Sequence, residues 1–137
     1  MINDKQNKIF IGLPVFNGEK YIAQAIDSVL SQTYTNYILF ISDNCSTDST
    51  QEICLQYEKQ EARVKYFKQE NNIGAKNNFL FLKKESEKYN LGYFIFIAYD
   101  DYWSPQYLQD LQTFIKHDDF GVRGKTKNVD ENNNIIG

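Results

Sequence analysis

Two hydrophobic patterns alternate along this chain. Continuous apolar runs, suited to strands covered on both faces, give way to stretches in which apolar residues recur at helical spacing. Lys8 to Val15 (Lys-Ile-Phe-Ile-Gly-Leu-Pro-Val) predicts a first strand, ending near Pro14 because proline offers a central ladder no N–H. Asn17-Gly18 marks a turn. From Glu19 to Gln32, the residues Ile22, Ile26, Val29 and Leu30 fall at i, i+4, i+7 and i+8, which is one face of a helix. Tyr37 to Ser42 predicts a second buried strand, delivering Asp43 and Asn44 at its end. Ser46-Thr47-Asp48-Ser49-Thr50 is rich in helix-capping residues, and Ile53, Cys54 and Tyr57 mark a helical face after it.

The second half repeats the theme. A short third strand is expected at Val64 to Phe67, followed by a loop, Gln69 to Gly74, with turn chemistry. Phe79, Leu82 and Tyr89 indicate a third helix to about Lys88, broken by Asn90-Leu91-Gly92. Tyr93 to Ala98 is nearly unbroken apolar and aromatic sequence, predicting a strand covered on both faces that runs straight into Asp100 and Asp101. Ser104 as N-cap and Pro105 at the first helical position should open a fourth helix, with Leu108, Leu111 and Ile115 at core spacing. Past His117 the pattern decays through Asp118–Arg123, read as one more short strand, into a polar tail. Strictly alternating strands and helices predict an α/β domain with a mainly parallel sheet flanked by helices and joined by right-handed crossovers.

Composition narrows the picture. A chain of 137 residues, 42% hydrophobic and 15% aromatic, is one domain's worth and can build a real core. A formal charge of −3 and a pI near 5.1 argue against a nucleic-acid binder, which would show a basic face. No apolar run approaches the roughly 18 residues of a membrane span, and the N-terminus has no apolar signal core, so the default location is cytoplasmic. The two cysteines, Cys45 and Cys54, fit a reducing compartment and match no metal-ligand spacing; Cys54 reads as helix packing and Cys45 as a loop residue. The lone His117 falls at a helix C-terminus, where positive charge is favourable without any catalytic role.

Three strand ends are expected on one rim, where ligands of open α/β sheets bind: Pro14-Val15-Phe16-Asn17, Asp43-Asn44-Cys45-Ser46 and Tyr99-Asp100-Asp101. Adjacent carboxylates raise each other's pKa and favour a hard cation, Mg²⁺ or Mn²⁺, between them. The plain alternative is a solvated loop in which Asp101 only helps to start the next helix.

Four segments carry a resemblance: Leu-Pro-Val-Phe-Asn-Gly-Glu-Lys-Tyr-Ile, Ser-Val-Leu-Ser-Gln-Thr-Tyr, Ser-Asp-Asn-Cys-Ser-Thr-Asp-Ser-Thr and Tyr-Asp-Asp-Tyr-Trp-Ser-Pro. In this order and spacing they resemble the family 2 glycosyltransferases of the GT-A fold. The likeness covers about residues 8–137 and corresponds to the nucleotide-sugar-binding half of such enzymes. It implies a Rossmann-like, truncated GT-A domain over residues 1–137, with the acceptor half absent. Also implied are a nucleotide-diphosphate sugar donor, an acceptor glycan or glycolipid, a role in surface polysaccharide or glycolipid synthesis, and a cytoplasmic site extending to peripheral association at the inner membrane face.

Carried over residue by residue, the resemblance implies that Pro14, Val15, Phe16 and Asn17 hold the nucleotide, the Phe16 ring stacking on the base. Asp43 and Asn44 match the acidic pair that reads the base edge and supports the ribose, but Asn44 departs from the usual second acid and adds a donor to the acceptor. Lys76 matches a basic residue at the start of the third helix, facing the phosphates; a solvated surface lysine is the alternative. Ala98-Tyr99-Asp100-Asp101 lacks the first acid of the common Asp-X-Asp-Asp motif. Similar shortened motifs imply that Asp100 faces the ribose or diphosphate while Asp101 holds the divalent ion, Mn or Mg. Nothing after Asp101 has the setting of a general base, and Asp118, Asp119, Asp130 and Glu131 read as loop acids, so donor binding is expected here and transfer is not. A phosphoacceptor receiver module would need acids directly after the first strand, where this chain has Pro14-Val15-Phe16-Asn17. A non-catalytic nucleotide-sugar-binding or interaction module remains the alternative.

Overall fold

A computed structural model of the chain describes residues 7–114, 128 and 130–136. Four strands, β1 (Ile9–Val15), β2 (Tyr37–Asp43), β3 (Val64–Lys68) and β4 (Tyr93–Phe96), alternate with four helices, α1 (Ile22–Leu30), α2 (Thr50–Gln60), α3 (Ala75–Tyr89) and α4 (Tyr107–Phe114). Every strand pair is parallel, and the sheet order is β3-β2-β1-β4. The expected α/β class and element order are therefore present.

The pleat of the sheet sorts the side chains into two cores. Odd-numbered residues such as Ile11, Leu13, Leu39 and Ile41 point to one face, where they meet Ile22, Ile26 and Val29 of α1, Cys54 of α2 and Leu108 of α4. Even-numbered Phe10, Ile38 and Phe40 point to the other face, against Leu82 of α3. Each such side chain contributes about 1.5–3 kcal/mol on leaving water, so the first face, with most of the buried residues, carries the larger share of stability. The second face is aromatic: Phe10 stacks between Phe40 and Phe94, with ring centroids 5.7 and 5.6 Å away.

Pro14 sits in register opposite Ser42 inside central strand β1. Its missing donor is harmless there. The Gly12 carbonyl accepts from Ile97 N–H on the β4 side, and Pro14 faces that same side two residues later, past the last β1–β4 pair, Gly12 with Phe96.

Strand β4 ends at Phe96, two residues before the expected Ala98. It lies at an edge of the described sheet, and its four residues are half-buried, whereas every residue of β1 and β2 is buried. Both of its faces do find partners, Tyr93 and Ile95 on the first core and Phe94 and Phe96 on the second, which is what the apolar run encoded. A run of apolar side chains carries no information about the strand's outer hydrogen-bonding edge. Helix α4 also starts later than expected, at Tyr107; Ser104 and Pro105 form the turn that leads into it, with the Tyr107 N–H donating to the Ser104 carbonyl. Cys54 is buried and its thiol is pushed up to about 12 by that burial, while Cys45 is half-buried in its loop. Ile115, His117, Asp118, Asp119 and the Phe120–Arg123 segment lie outside the described residues.

Candidate functional site

Because all four strands run parallel, they release their chains at one rim, and the loops there are tied together by side chains. The turn after β1 is zipped to the loop after β2. Asn17 N–H donates to Ser46 Oγ (2.8 Å), Gly18 N–H to Thr50 Oγ1 (2.9 Å) and Glu19 N–H to Asp48 Oδ2 (3.1 Å). In return Thr47 N–H donates to Asn17 Oδ1 (2.8 Å) and Ser49 N–H to Glu19 Oε2 (2.9 Å). Thr50 passes its own hydroxyl proton to Asp48 Oδ1 at 2.6 Å. Burial works against the charge on Asp48, but the hydrogen bonds from Thr50 and from the Glu19 N–H outweigh it and hold the carboxyl below its ordinary range. The Ser-Thr-rich segment read as capping sequence is thus also the lock on the neighbouring loop.

Pro14 and Val15 are buried in β1, and Phe16 and Asn17 emerge from its end; Phe16 is 43% exposed, a large aromatic ring offered to solvent. Asn17 tolerates the left-handed backbone of this turn, at φ 49°. Asn44 N–H donates to the Val15 carbonyl at 2.8 Å, so the two strand ends stay abreast.

Asp43 and Asn44 do not present open polar atoms. Asp43 is fully buried, with Oδ1 accepting from Ser46 N–H (2.8 Å) and Oδ2 from the Tyr66 hydroxyl (2.5 Å). Burial, with the Asp43 carboxylate beside it, pushes the Tyr66 hydroxyl far up, so it stays a donor. Asn44 Oδ1 accepts from Ile73 N–H (2.8 Å) and its amide nitrogen donates to Asn72 Oδ1 (3.0 Å), fixing the loop that leads to α3. Lys76 is exposed on the first turn of that helix. Beneath it, buried Asn78 grips Ser42 twice, donating to its carbonyl (2.9 Å) and accepting from its hydroxyl (2.6 Å).

The acidic segment leaves β4 as a turn in which Asp101 N–H donates to the Ala98 carbonyl at 3.1 Å. Asp100 and Asp101 are both exposed. Partial burial, with the Asp100 charge added to it, raises the Asp101 carboxyl above its ordinary value. Tyr99 anchors the segment: a Cβ placed on Gly18 would lie 2.8 Å from Tyr99 Cδ2 and 2.5 Å from Val15 Cγ2, so the ring rests directly on the turn after β1. Gly18 is required there for close approach, not for backbone conformation. Downstream, Trp103 lies against Tyr107 with centroids 4.9 Å apart, and buried Gln32 bonds the backbone of Ser104 and Leu108.

Two mutually repelling oxygen ligands on a held turn, with water and ligand oxygens free to complete a shell, suit Mg²⁺ or Mn²⁺. Among the described residues no group of three His, Cys, Asp or Glu side chains forms a metal cage. The sequence reading missed Gln32, Tyr66 and Asn78, and took Gly18 only as part of a turn. At the far end of the chain, Asp130 accepts from the N–H groups of Asn132 and Asn134, both at 2.9 Å, and so organises its own turn. Those bonds from Asn134 and Asn132 keep its carboxyl below the ordinary range.

The family model described as glycosyl transferase family 2 matches residues 10–136. The putative teichuronic acid biosynthesis glycosyltransferase TuaG of Bacillus subtilis is 33% identical over 102 residues, covering 74% of this chain and 39% of its own. An Escherichia coli protein named UDP-Glc:alpha-D-GlcNAc-diphosphoundecaprenol beta-1,3-glucosyltransferase, WfgD, is 30% identical over 133 residues, covering 94% of this chain and 49% of its own. Among solved structures, S. aureus TarS 1-349 in complex with UDP-GlcNAc superposes with a TM-score of 0.70 at 27% identity, over 78% of this chain and 30% of that one. The chain spans between 14% and 49% of the length of the curated relatives it matches. With its parallel sheet, its helices on both faces and three strand ends meeting at one rim, the chain belongs to glycosyl transferase family 2 and has the GT-A fold of those enzymes.

Proposed function

We propose that this chain is the donor-binding half of an enzyme that transfers a sugar from a nucleoside diphosphate to an acceptor hydroxyl, in the synthesis of a surface polysaccharide or glycolipid. The observation that carries this reading is the seating of Tyr99 on Gly18, which draws the acidic pair to the turn bearing the exposed Phe16 ring. Phe16 stacks on the base, Asn17 and the backbone of Pro14 and Val15 border it, and Asn44 meets its edge only if its bonds to Ile73 and Asn72 open. Asp43 shares that edge only if the Tyr66 hydroxyl lets go; otherwise it acts by fixing Ser46 and Tyr66. Asp101 holds Mn²⁺ or Mg²⁺, Asp100 orients toward the ribose or diphosphate, and Lys76 lies on the phosphate side. When bound, the divalent ion offsets the charge of the diphosphate, which then departs more readily. A uridine nucleotide is the first candidate, on the strength of the TarS complex with UDP-GlcNAc. The reading carries a cytoplasmic location, at the inner face of the membrane when the acceptor is a glycolipid; no helix among the described residues is long and apolar enough to cross a membrane.

The test is binding of UDP, GDP, CDP and ADP by calorimetry, with Mn²⁺ and with chelator. Uridine diphosphate should bind, and bind more tightly with Mn²⁺. Equal affinity in chelator would transfer the phosphate role from Asp101 to Lys76, and no binding of any nucleotide would overturn the reading.

A second reading, a non-catalytic nucleotide-sugar-binding or interaction module, is favoured by the acids beyond Asp101. Among the described residues these are Asp110, exposed on α4, Asp130, occupied by its own turn, and exposed Glu131. Release of free sugar from a UDP-sugar, or its transfer to a glycan panel, would exclude that second reading.

A further inference from the structure

Gln32 lies just past the end of α1 and is 4% exposed. A polar side chain so placed normally turns outward; this one turns inward and uses both of its donors and its acceptor oxygen. Its amide nitrogen donates to the Ser28 carbonyl (3.0 Å) and to the Ser104 carbonyl (2.7 Å), and its oxygen accepts from Leu108 N–H (3.0 Å). The next residue continues the seam, Thr33 N–H donating to the Pro105 carbonyl at 2.9 Å. The backbone held in this way begins three residues after Asp101.

On the near side of the acidic pair the chain is held equally firmly. Ile97 N–H donates to the Gly12 carbonyl at 3.0 Å, and the Tyr99 ring rests on Gly18. Asp100 and Asp101 are therefore suspended between two anchors, one on the β1 turn and one on the end of α1. This matters because two adjacent carboxylates repel each other. A tether that slackened at one end would let them separate, and a cation would then have to draw them together again on binding.

We infer that Gln32 is a positioning residue for the acidic pair: it touches neither donor nor ion, but its three hydrogen bonds hold the far anchor of the turn that presents Asp100 and Asp101. This rests on the donor-site reading above. Residues that hold metal ligands in place commonly alter metal affinity about 10- to 100-fold when replaced, and a loss of that size is expected here.

The test compares the wild-type chain with Gln32→Met, which keeps the volume but makes none of the three bonds. Mn²⁺ is titrated in the presence of UDP, and UDP is titrated separately in chelator. Leu82→Val, a core change on the opposite face of the sheet, controls for general loosening. Gln32→Met should weaken the Mn²⁺ dependence about 10- to 100-fold while UDP affinity in chelator stays unchanged, and Leu82→Val should leave both unchanged. If Gln32→Met does not fold, Gln32→Glu, which retains the acceptor for Leu108 N–H, is measured against the same expectations. An unaltered Mn²⁺ dependence in the Gln32 variant, or an equal loss in Leu82→Val, overturns the inference while the donor site stands. Absence of any Mn²⁺ effect on UDP binding by the wild type overturns the metal reading and the inference with it.

Discussion

Gly18→Ala puts the packing of this rim to a direct test. The new methyl group would sit 2.5 Å from Val15 Cγ2 and 2.8 Å from Tyr99 Cδ2, both far inside contact distance. Neither neighbour can swing aside, since Val15 is a buried residue of β1 and the Tyr99 ring packs on the first core. Nor can the turn retreat freely, because the N–H groups of Asn17, Gly18 and Glu19 are each held by a side chain from the next loop. Overpacking of this kind costs about 1–3 kcal/mol. Loss of one of those three hydrogen bonds adds about 1 kcal/mol, for a total of about 2–4 kcal/mol. In urea, with a slope of about 2 kcal/mol per molar, the midpoint should fall by roughly 1–2 M while the slope stays constant. Displacement of Tyr99 should also shift Asp100 and Asp101, so Mn²⁺-dependent UDP affinity should fall in the population that remains folded. A change below about 0.5 kcal/mol, the ordinary range of surface substitutions, with unaltered nucleotide binding, would show that Tyr99 and the turn are not in contact and would refute the reasoning.

Three further outcomes are expected. Phe16→Ala should weaken UDP binding by about 1–3 kcal/mol if a base stacks on the exposed ring; unchanged affinity in calorimetry would assign the ring to packing alone. Asp101→Asn should abolish the Mn²⁺ effect. It should also leave stability at neutral pH equal or slightly higher: the folded-state pKa of Asp101 is raised, so its charge opposes folding above that pKa and the opposition fades as pH falls through it. For the same reason wild-type Mn²⁺ affinity should begin to fall, on acidification, at higher pH than for an isolated aspartate. Asp48 has the opposite sign. Its folded-state pKa lies below that of an ordinary aspartate, so its stabilisation is complete above the ordinary value and disappears as pH falls through the folded one. Urea midpoints of wild type and Asp48→Asn should therefore differ at pH 7 and converge below about pH 4.

What the sequence made legible was whatever is encoded by neighbours a few residues apart. Ile22, Ile26 and Val29 face the core as their spacing requires, and Phe10 and Ile11 part to opposite sides of β1 as a doubly covered strand demands. The rim was legible as well, since a parallel sheet must release Asn17, Asp43 and Asp100 at one end. Long-range polar contacts were not. Gln32 closes on residues 72 and 76 positions away, and no local pattern distinguishes it from a solvent-facing glutamine. Tyr66 stands in an alternating strand like any half-exposed tyrosine, and only the superposition of β3 on β2 brings its hydroxyl to Asp43. The expected reading of a base edge by Asp43 and Asn44 meets the same obstacle, because Asp43 Oδ2 and both amide atoms of Asn44 are engaged by partners that lie 23 to 29 residues distant. Helix α1 begins at Ile22, three residues beyond the expected Glu19, where the Gly18 and Glu19 N–H groups are taken by Thr50 and Asp48.

Trp103, the single tryptophan of the chain, sits two residues past Asp101, half-buried against Tyr107. Indole emission shifts with local polarity and is quenched by a nearby paramagnetic ion. The protein thus carries a native fluorophore at the one turn where a cation is expected, and its other aromatic side chains, tyrosine and phenylalanine, emit at shorter wavelengths. Excitation at the red edge of the absorption band would therefore watch the acidic turn alone, without a label, and a deeper quench by Mn²⁺ than by Mg²⁺ at equal occupancy would report how near the ion lies.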